Sequence, residues 1–103
     1  MKLRALVLVM LVSGSALAAD AVETVRAAIA EGERRYAEQE YRACIEAFGA
    51  VLRDQASTRD QRARAYEYIG LSWLILGKKQ KAKEAFEDVI WALINSPDFQ
   101  FNR

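Results

Sequence analysis

A chain of 103 residues, 52% hydrophobic and 28% charged, with one proline, one cysteine and no histidine, holds one small core and no second domain. Without histidine there is no Ser-His-Asp or Cys-His nucleophile and no usual zinc site, and a single cysteine makes neither an internal disulfide nor a four-thiolate metal site. Fifteen basic residues against fourteen acidic give a net charge of +1, which is no footprint for nucleic acid.

Residues 1–18 read as a Sec signal peptide. Lys2 and Arg4 form a basic start, an apolar stretch follows from Ala5 to Val12, and Ser13, Gly14 and Ser15 are expected to break the helix there. Ala16-Leu17-Ala18 supplies the small-x-small pattern that a signal peptidase needs, so cleavage is expected before Ala19. The apolar run is shorter than the roughly 20 residues a transmembrane helix requires, so no membrane span is expected after cleavage. A lipid anchor is not expected, since no cysteine stands near the cleavage site. Cleavage removes Lys2 and Arg4, moves the net charge from +1 to −1, and sets the expected location as periplasmic or secreted.

The remainder predicts an all-α chain of four helices. The first is expected to open at Asp20 on a capping box, Asp20-Ala-Val-Glu23, to carry Val22, Val25, Ile29, Gly32 and Tyr36 on one stripe, and to end near Glu38. The second, from about Glu40 to Asp54, aligns Tyr41, Cys44/Ile45, Phe48 and Val51/Leu52. After a loop at Gln55 to Thr58, a second capping box, Thr58-x-x-Gln61, opens the third helix. That helix runs to Leu76, where Gly77 supplies a left-handed turn. Tyr66, Tyr68, Ile69, Leu71, Trp73, Leu74, Ile75 and Leu76 cannot share one face, so neighbours are expected on several sides of it. The fourth, from about Lys79 to Ile94, is apolar at Ala82, Phe86, Val89/Ile90 and Leu93/Ile94 and is stopped by Ser96-Pro97.

The pattern repeats at a fixed step in residue number. Gly32 matches Gly70, Cys44 matches Ala82, Glu46 matches Glu84, Ala47 matches Ala85, Phe48 matches Phe86 and Val51 matches Val89, each pair 38 apart. Small residues at Gly70 and Ala82 let two helix backbones approach, with Trp73 and Phe86 filling the space beside the crossing. The second copy, with Tyr66, Ile69, Gly70, Trp73, Ala82, Phe86 and a slightly late Pro97, resembles a tetratricopeptide repeat. The first copy keeps Gly32, Cys44 and Phe48, with Tyr41-Arg42-Ala43-Cys44-Ile45 looking like the opening of the family's second helix. It departs at Ala28, Glu31 and Arg35, where the family has large apolar or aromatic residues, and it lacks the closing proline. The interval of 38 exceeds the family's 34, and a longer loop at Asp54 to Asp60 takes up the surplus. The resemblance implies a right-handed solenoid of two helix-turn-helix repeats, about 23–56 and about 60–97, within a domain of residues 19–97. Residues 98–103 are expected to be a tail or the start of a following segment. The competing reading is two unrelated helical hairpins in a four-helix bundle.

Members of that family are non-catalytic interaction scaffolds whose first helices line a concave groove. Carried over, the groove is lined by Arg26, Ile29, Glu33 and Tyr36, then Arg64, Glu67, Leu71, Leu74 and Ile75. The family's two-carboxylate clamp uses Lys and Asn, and Ile29, Glu67, Glu33 and Leu71 stand at those positions, so that clamp is not expected. Arg26 and Arg64, again 38 apart, suit carboxylate groups, although ion pairs with Glu23, Glu33 or Glu67 are the plainer use of them. Cys44 reads as a buried inert thiol. Glu38 and Glu40 read as a solvated turn. Lys78, Lys79, Lys81 and Lys83 crowd a helix N-terminus, the unfavourable end for positive charge, and read first as a solvated face and second as a surface for an acidic partner or anionic lipid.

A repeat array exposes one apolar flank unless something covers it. Ile90, Trp91, Ile94 and Phe99 form that flank here. The ending Pro97-Asp98-Phe99-x-Phe101-Asn102 looks like an exit from repeats into a following domain of secreted bacterial proteins. The expected partners are therefore a protein or peptide, or a second copy of the chain, and the chain is not expected to behave as a plain monomer. A helical subunit acting only through homo-oligomerisation is the alternative function. No catalysis is expected, because no set of nucleophile, base and orienting group can be assembled from this inventory, and neither cofactor nor metal is expected.

Overall fold

The computed structural model describes the backbone of residues 2–95 and the side chains of residues 19–95. Among these residues the chain is all-helical, with α1 (Lys2–Ala37), α2 (Tyr41–Arg53), α3 (Arg59–Ile75) and α4 (Lys79–Ile94) and no strand. Each helix packs on the next in chain order, with a lighter contact between α1 and α3. The side chains of residues 1–18, and Ser96, Pro97, Phe99, Phe101 and the rest of 96–103, lie outside the described residues.

The start of α1 departs from the sequence expectation. The helix runs without a break across Ser13, Gly14 and Ser15 and continues past Asp20. Two serines and a glycine cost a helix interior only about 0.5–1 kcal/mol each relative to alanine, too little to interrupt it by themselves. Asp20 is accordingly not a cap. Its carbonyl accepts a 2.7 Å hydrogen bond from the Thr24 hydroxyl, the i to i+4 geometry of a helix interior.

The other boundaries follow the pattern in the sequence. Thr58 Oγ1 accepts from the Gln61 amide at 3.1 Å while the Gln61 side chain accepts from the Thr58 amide at 2.8 Å, completing the reciprocal cap. The preceding loop is closed by its own side chains. Asp54 Oδ1 accepts from the Ala56 amide at 2.9 Å, and the buried Ser57 hydroxyl donates to the Val51 carbonyl at 2.5 Å.

The two intra-hairpin turns are the same structure, written once in each copy of the repeat. In the first, the Gln39 amide bonds the Tyr36 carbonyl at 3.0 Å and the Glu40 amide bonds the Arg35 carbonyl at 2.8 Å. In the second, Gly77 bonds Leu74 at 3.0 Å and Lys78 bonds Trp73 at 2.8 Å. Both are Schellman turns, which require positive φ at the residue after the helix. Gly77 has φ +83°, and Gln39, with no glycine to make it easy, has φ +64°. Glu40 (φ −96°, ψ 75°) and Lys78 (φ −97°, ψ 74°) then open α2 and α4 with nearly identical backbones and no side-chain cap.

The helix crossings repeat as well. A Cβ on Gly32 would lie 2.5 Å from Phe48 Cδ2, and one on Gly70 would lie 2.6 Å from Phe86 Cε1. At both crossings a phenylalanine ring lies directly on the bare backbone of the preceding helix, a contact only glycine permits. The core is built from Val25, Cys44, Phe48, Val51, Ala65, Ile69 and Ala85. It is centred on hairpin one and its junction with α3.

Candidate functional site

The nine residues expected to line one groove divide among several environments. Ile29, Arg64 and Glu67 come together in a cleft of about 520 Å³ between α1, α3 and α4, joined by Asp60, Gln61, Ala63, Val89 and Leu93. Arg64 Nη1 donates to Glu33 Oε2 at 2.9 Å, tying α3 to α1 across 31 residues. Arg26 lies apart from the cleft, pairing with Glu23 at 3.4 Å in an exposed i,i+3 contact, of the kind worth a few tenths of a kcal/mol.

Tyr36 is turned away from this cleft. Its ring meets Tyr41 edge-on at 5.5 Å and Tyr68 edge-on at 5.2 Å, in the seam between α1, α2 and α3. Leu71 is half-buried. Leu74 and Ile75 are exposed at the end of α3, and Leu74 belongs to a second, separate groove. That groove, about 360 Å³, is lined by Leu74, Lys79, Ala82, Lys83, Phe86, Glu87 and Ile90. Leucine, alanine, phenylalanine and isoleucine make it mostly hydrocarbon, with lysines and one glutamate at the rim. Ile90, one of its lining residues, and Trp91 and Ile94 further along α4 are all more than half exposed.

The residues at the crossings are placed as follows. Cys44 and Phe48 are fully buried, Ala82 nearly so, and Gly32 and Gly70 lie under the two phenylalanine rings. Burial pushes the Cys44 thiol above its ordinary pKa, with the facing Ser72 hydroxyl pulling the other way. Ser72 Oγ is itself buried and makes no hydrogen bond to nitrogen or oxygen. Trp73 is partly buried, with Lys81 Nζ 4.4 Å and the Arg42 guanidinium 5.8 Å from its ring. One of the four clustered lysines is thus engaged by an indole face.

Glu38 and Glu40, read as a solvated turn, belong to a charge network closing α1. Arg34 pairs with Glu31 at 2.7 Å and Glu38 at 3.1 Å, while Arg35 pairs with Glu31 at 2.6 Å and also with Glu40. Hydrogen bonds from Arg34 and then Arg35 hold the Glu31 carboxyl below the usual range. Alternating sign on adjacent turns of the sequence was the signal for this network.

No family model, curated protein or solved structure matches this chain. Among the described residues no group of three or more His, Cys, Asp or Glu is placed to hold a metal ion, and no helix is long and apolar enough to cross a membrane.

Sequence reasoning missed the stacking of Tyr68 on Phe48, with ring centroids 4.8 Å apart and planes 10° from parallel. This contact seats α3 on the first hairpin. The signal for it was present in the repeat itself, since a phenylalanine that recurs over a glycine has a second ring face that something must cover.

Proposed function

We propose that the chain is a tetratricopeptide-like interaction module of the bacterial cell envelope, without catalytic activity, exported by residues 1–18 and built as a right-handed solenoid of two repeats. The observation that carries this reading is the duplication of turn and crossing at one interval. The Schellman turns at Gln39 and Gly77 and the Gly–Phe crossings at 32/48 and 70/86 share a single offset in residue number. Generic helical pairs need no such shared offset. The peptide-binding face is the cleft at Ile29, Arg64 and Glu67, where Arg64 keeps guanidinium donors beyond its bond to Glu33 for a carboxylate on the ligand.

Two measurements test it. Expressed in a Gram-negative host, the chain is expected to be recovered from the periplasm with Ala19 as its first residue, and an intact Met1 terminus on the envelope-associated protein contradicts the export reading. Peptides selected from a random library on the purified protein are expected to lose binding to Arg64→Glu while keeping it to Glu46→Lys, with helicity unchanged in both. Selected peptides that bind Arg64→Glu as well as the parent place the site elsewhere.

A further inference from the structure

The seat that holds α3 on the first hairpin exists a second time and, among the described residues, is open. On the first hairpin, Tyr36, Cys44, Phe48 and Leu52 receive α3, with Tyr68 stacked on Phe48 at 4.8 Å, its edge against Tyr36 at 5.2 Å, and Ser72 beside Cys44. Advanced by one repeat, these four positions are Leu74, Ala82, Phe86 and Ile90, four lining residues of the 360 Å³ groove. The first groove is apolar at its rim, where Tyr41 and Ile45 stand. The second carries Lys79 and Lys83 at those places.

We propose that this second groove receives an amphipathic helix supplied by another protein. It presents an aromatic ring to Phe86, a small residue four positions later to Ala82, and acidic side chains in its last turns. The antiparallel register follows from the first hairpin, where later residues of α3 meet earlier residues of α2: Tyr68 meets Phe48, and Ser72 meets Cys44. The end of the incoming helix therefore lies beside Lys79 and Lys83, and acidic side chains there complement both lysines. From Lys79 to Ile90 the seat is about 16 Å long, roughly three helical turns.

A second copy stacked head-to-tail is a poor occupant. It offers α1, whose Ala27, Ala30, Glu31 and Arg34 stand where α3 has Ala65, Tyr68, Ile69 and Ser72. That face has no ring for Phe86 and sets an arginine near two lysines.

The proposal rests on the repeat reading above but not on the cleft at Arg64. The probe is a fluorescent helical peptide of about five turns carrying Ala, Tyr, Ile and Ser at the spacing of Ala65, Tyr68, Ile69 and Ser72. Its last two turns have glutamates on the flank, and glutamine fills the remaining positions. Anisotropy with the purified chain is expected to show saturable one-to-one binding, weakened about tenfold when the peptide's Tyr becomes Ala. Lys79→Glu combined with Lys83→Glu, both exposed and so harmless to folding, is expected to weaken binding by about tenfold as well, and a peptide with lysines in place of its glutamates to restore it. Arg64→Glu is expected to bind the helix as the parent does, so retained binding of library peptides by this variant overturns the cleft reading alone, and failure of the parent to bind the helix overturns this proposal alone. Absence of saturable binding to the folded chain, indifference to the charge exchange, or a sedimentation-defined dimer that excludes the peptide overturns the proposal.

Discussion

Phe48 and Phe86 stand at equivalent places, each laid over a glycine of the preceding helix, yet Phe48 is fully buried while Phe86 is half-buried and lines an open groove. The neighbours follow suit. Leu52 is packed against the core while its counterpart Ile90 is 57% exposed, and Tyr36 is partly buried while Leu74 is 48% exposed. The difference is a single helix. The first hairpin has α3 on its outer face and the second has nothing there among the described residues, so one repeated sequence pattern yields a core in one place and an apolar surface in the other.

This asymmetry sets the expected order of mutational effects. Phe48→Ala leaves a ring-sized void between Gly32 and Tyr68 and is expected to cost about 3–5 kcal/mol, against about 1–2 kcal/mol for Phe86→Ala, whose ring already borders water. Urea unfolding of both variants checks this, and equal losses would break the comparison. The glycines sharpen it. At Gly32 the added methyl meets a ring that is wedged on both sides, so Gly32→Ala is expected to destabilise by about 2–3 kcal/mol. At Gly70 the ring has room to swing outward, and the gain in helix propensity, about 1 kcal/mol, offsets most of the clash, so Gly70→Ala is expected to fall within about 1 kcal/mol of the parent.

The turns reverse the ranking of the hairpins. Gln39 bears positive φ with a side chain, whereas Gly77 does so freely. Gln39→Gly is expected to raise stability by about 0.5–1 kcal/mol and Gly77→Ala to lower it by about 1 kcal/mol, both measured by thermal melting.

The smallest effect concerns pH. Burial is the main cause that lifts Cys44 and Tyr68 above their ordinary values of 9.0 and 10.0. A group harder to ionise in the folded chain than in the unfolded one leaves stability whole below the unfolded value and removes it as pH rises through the window up to the folded value. The melting temperature is therefore expected to fall from about pH 9 upward. Cys44→Ala with Tyr68→Phe is expected to flatten that fall, and these two groups lie in the filled seam of the first hairpin only.

Much of this was legible in the residues. Thr58-x-x-Gln61, Gly77 and the apolar spacing of α4 mark their elements because caps, left-handed turns and amphipathic faces are local properties. The repeat interval was legible because both crossings carry a glycine under a phenylalanine at the same step. Gln39 was not, since nothing about a glutamine announces a left-handed turn and only the register of α1 against α2 imposes it. The ring partners of Tyr36 were hidden for a related reason: Tyr41 and Tyr68 stand on other helices, and spacing along one helix does not reveal them. The continuity of α1 through residues 13–20 shows the limit of reading breaks from weak helix formers alone.

The central claim, one seat filled and its copy open, is tested most directly by nuclear magnetic resonance in the presence of a soluble paramagnetic agent. The account predicts strong relaxation of the Phe86 ring and Ile90 methyls and protection of the Phe48 ring and Leu52 methyls, and equal protection of the two sets would contradict it.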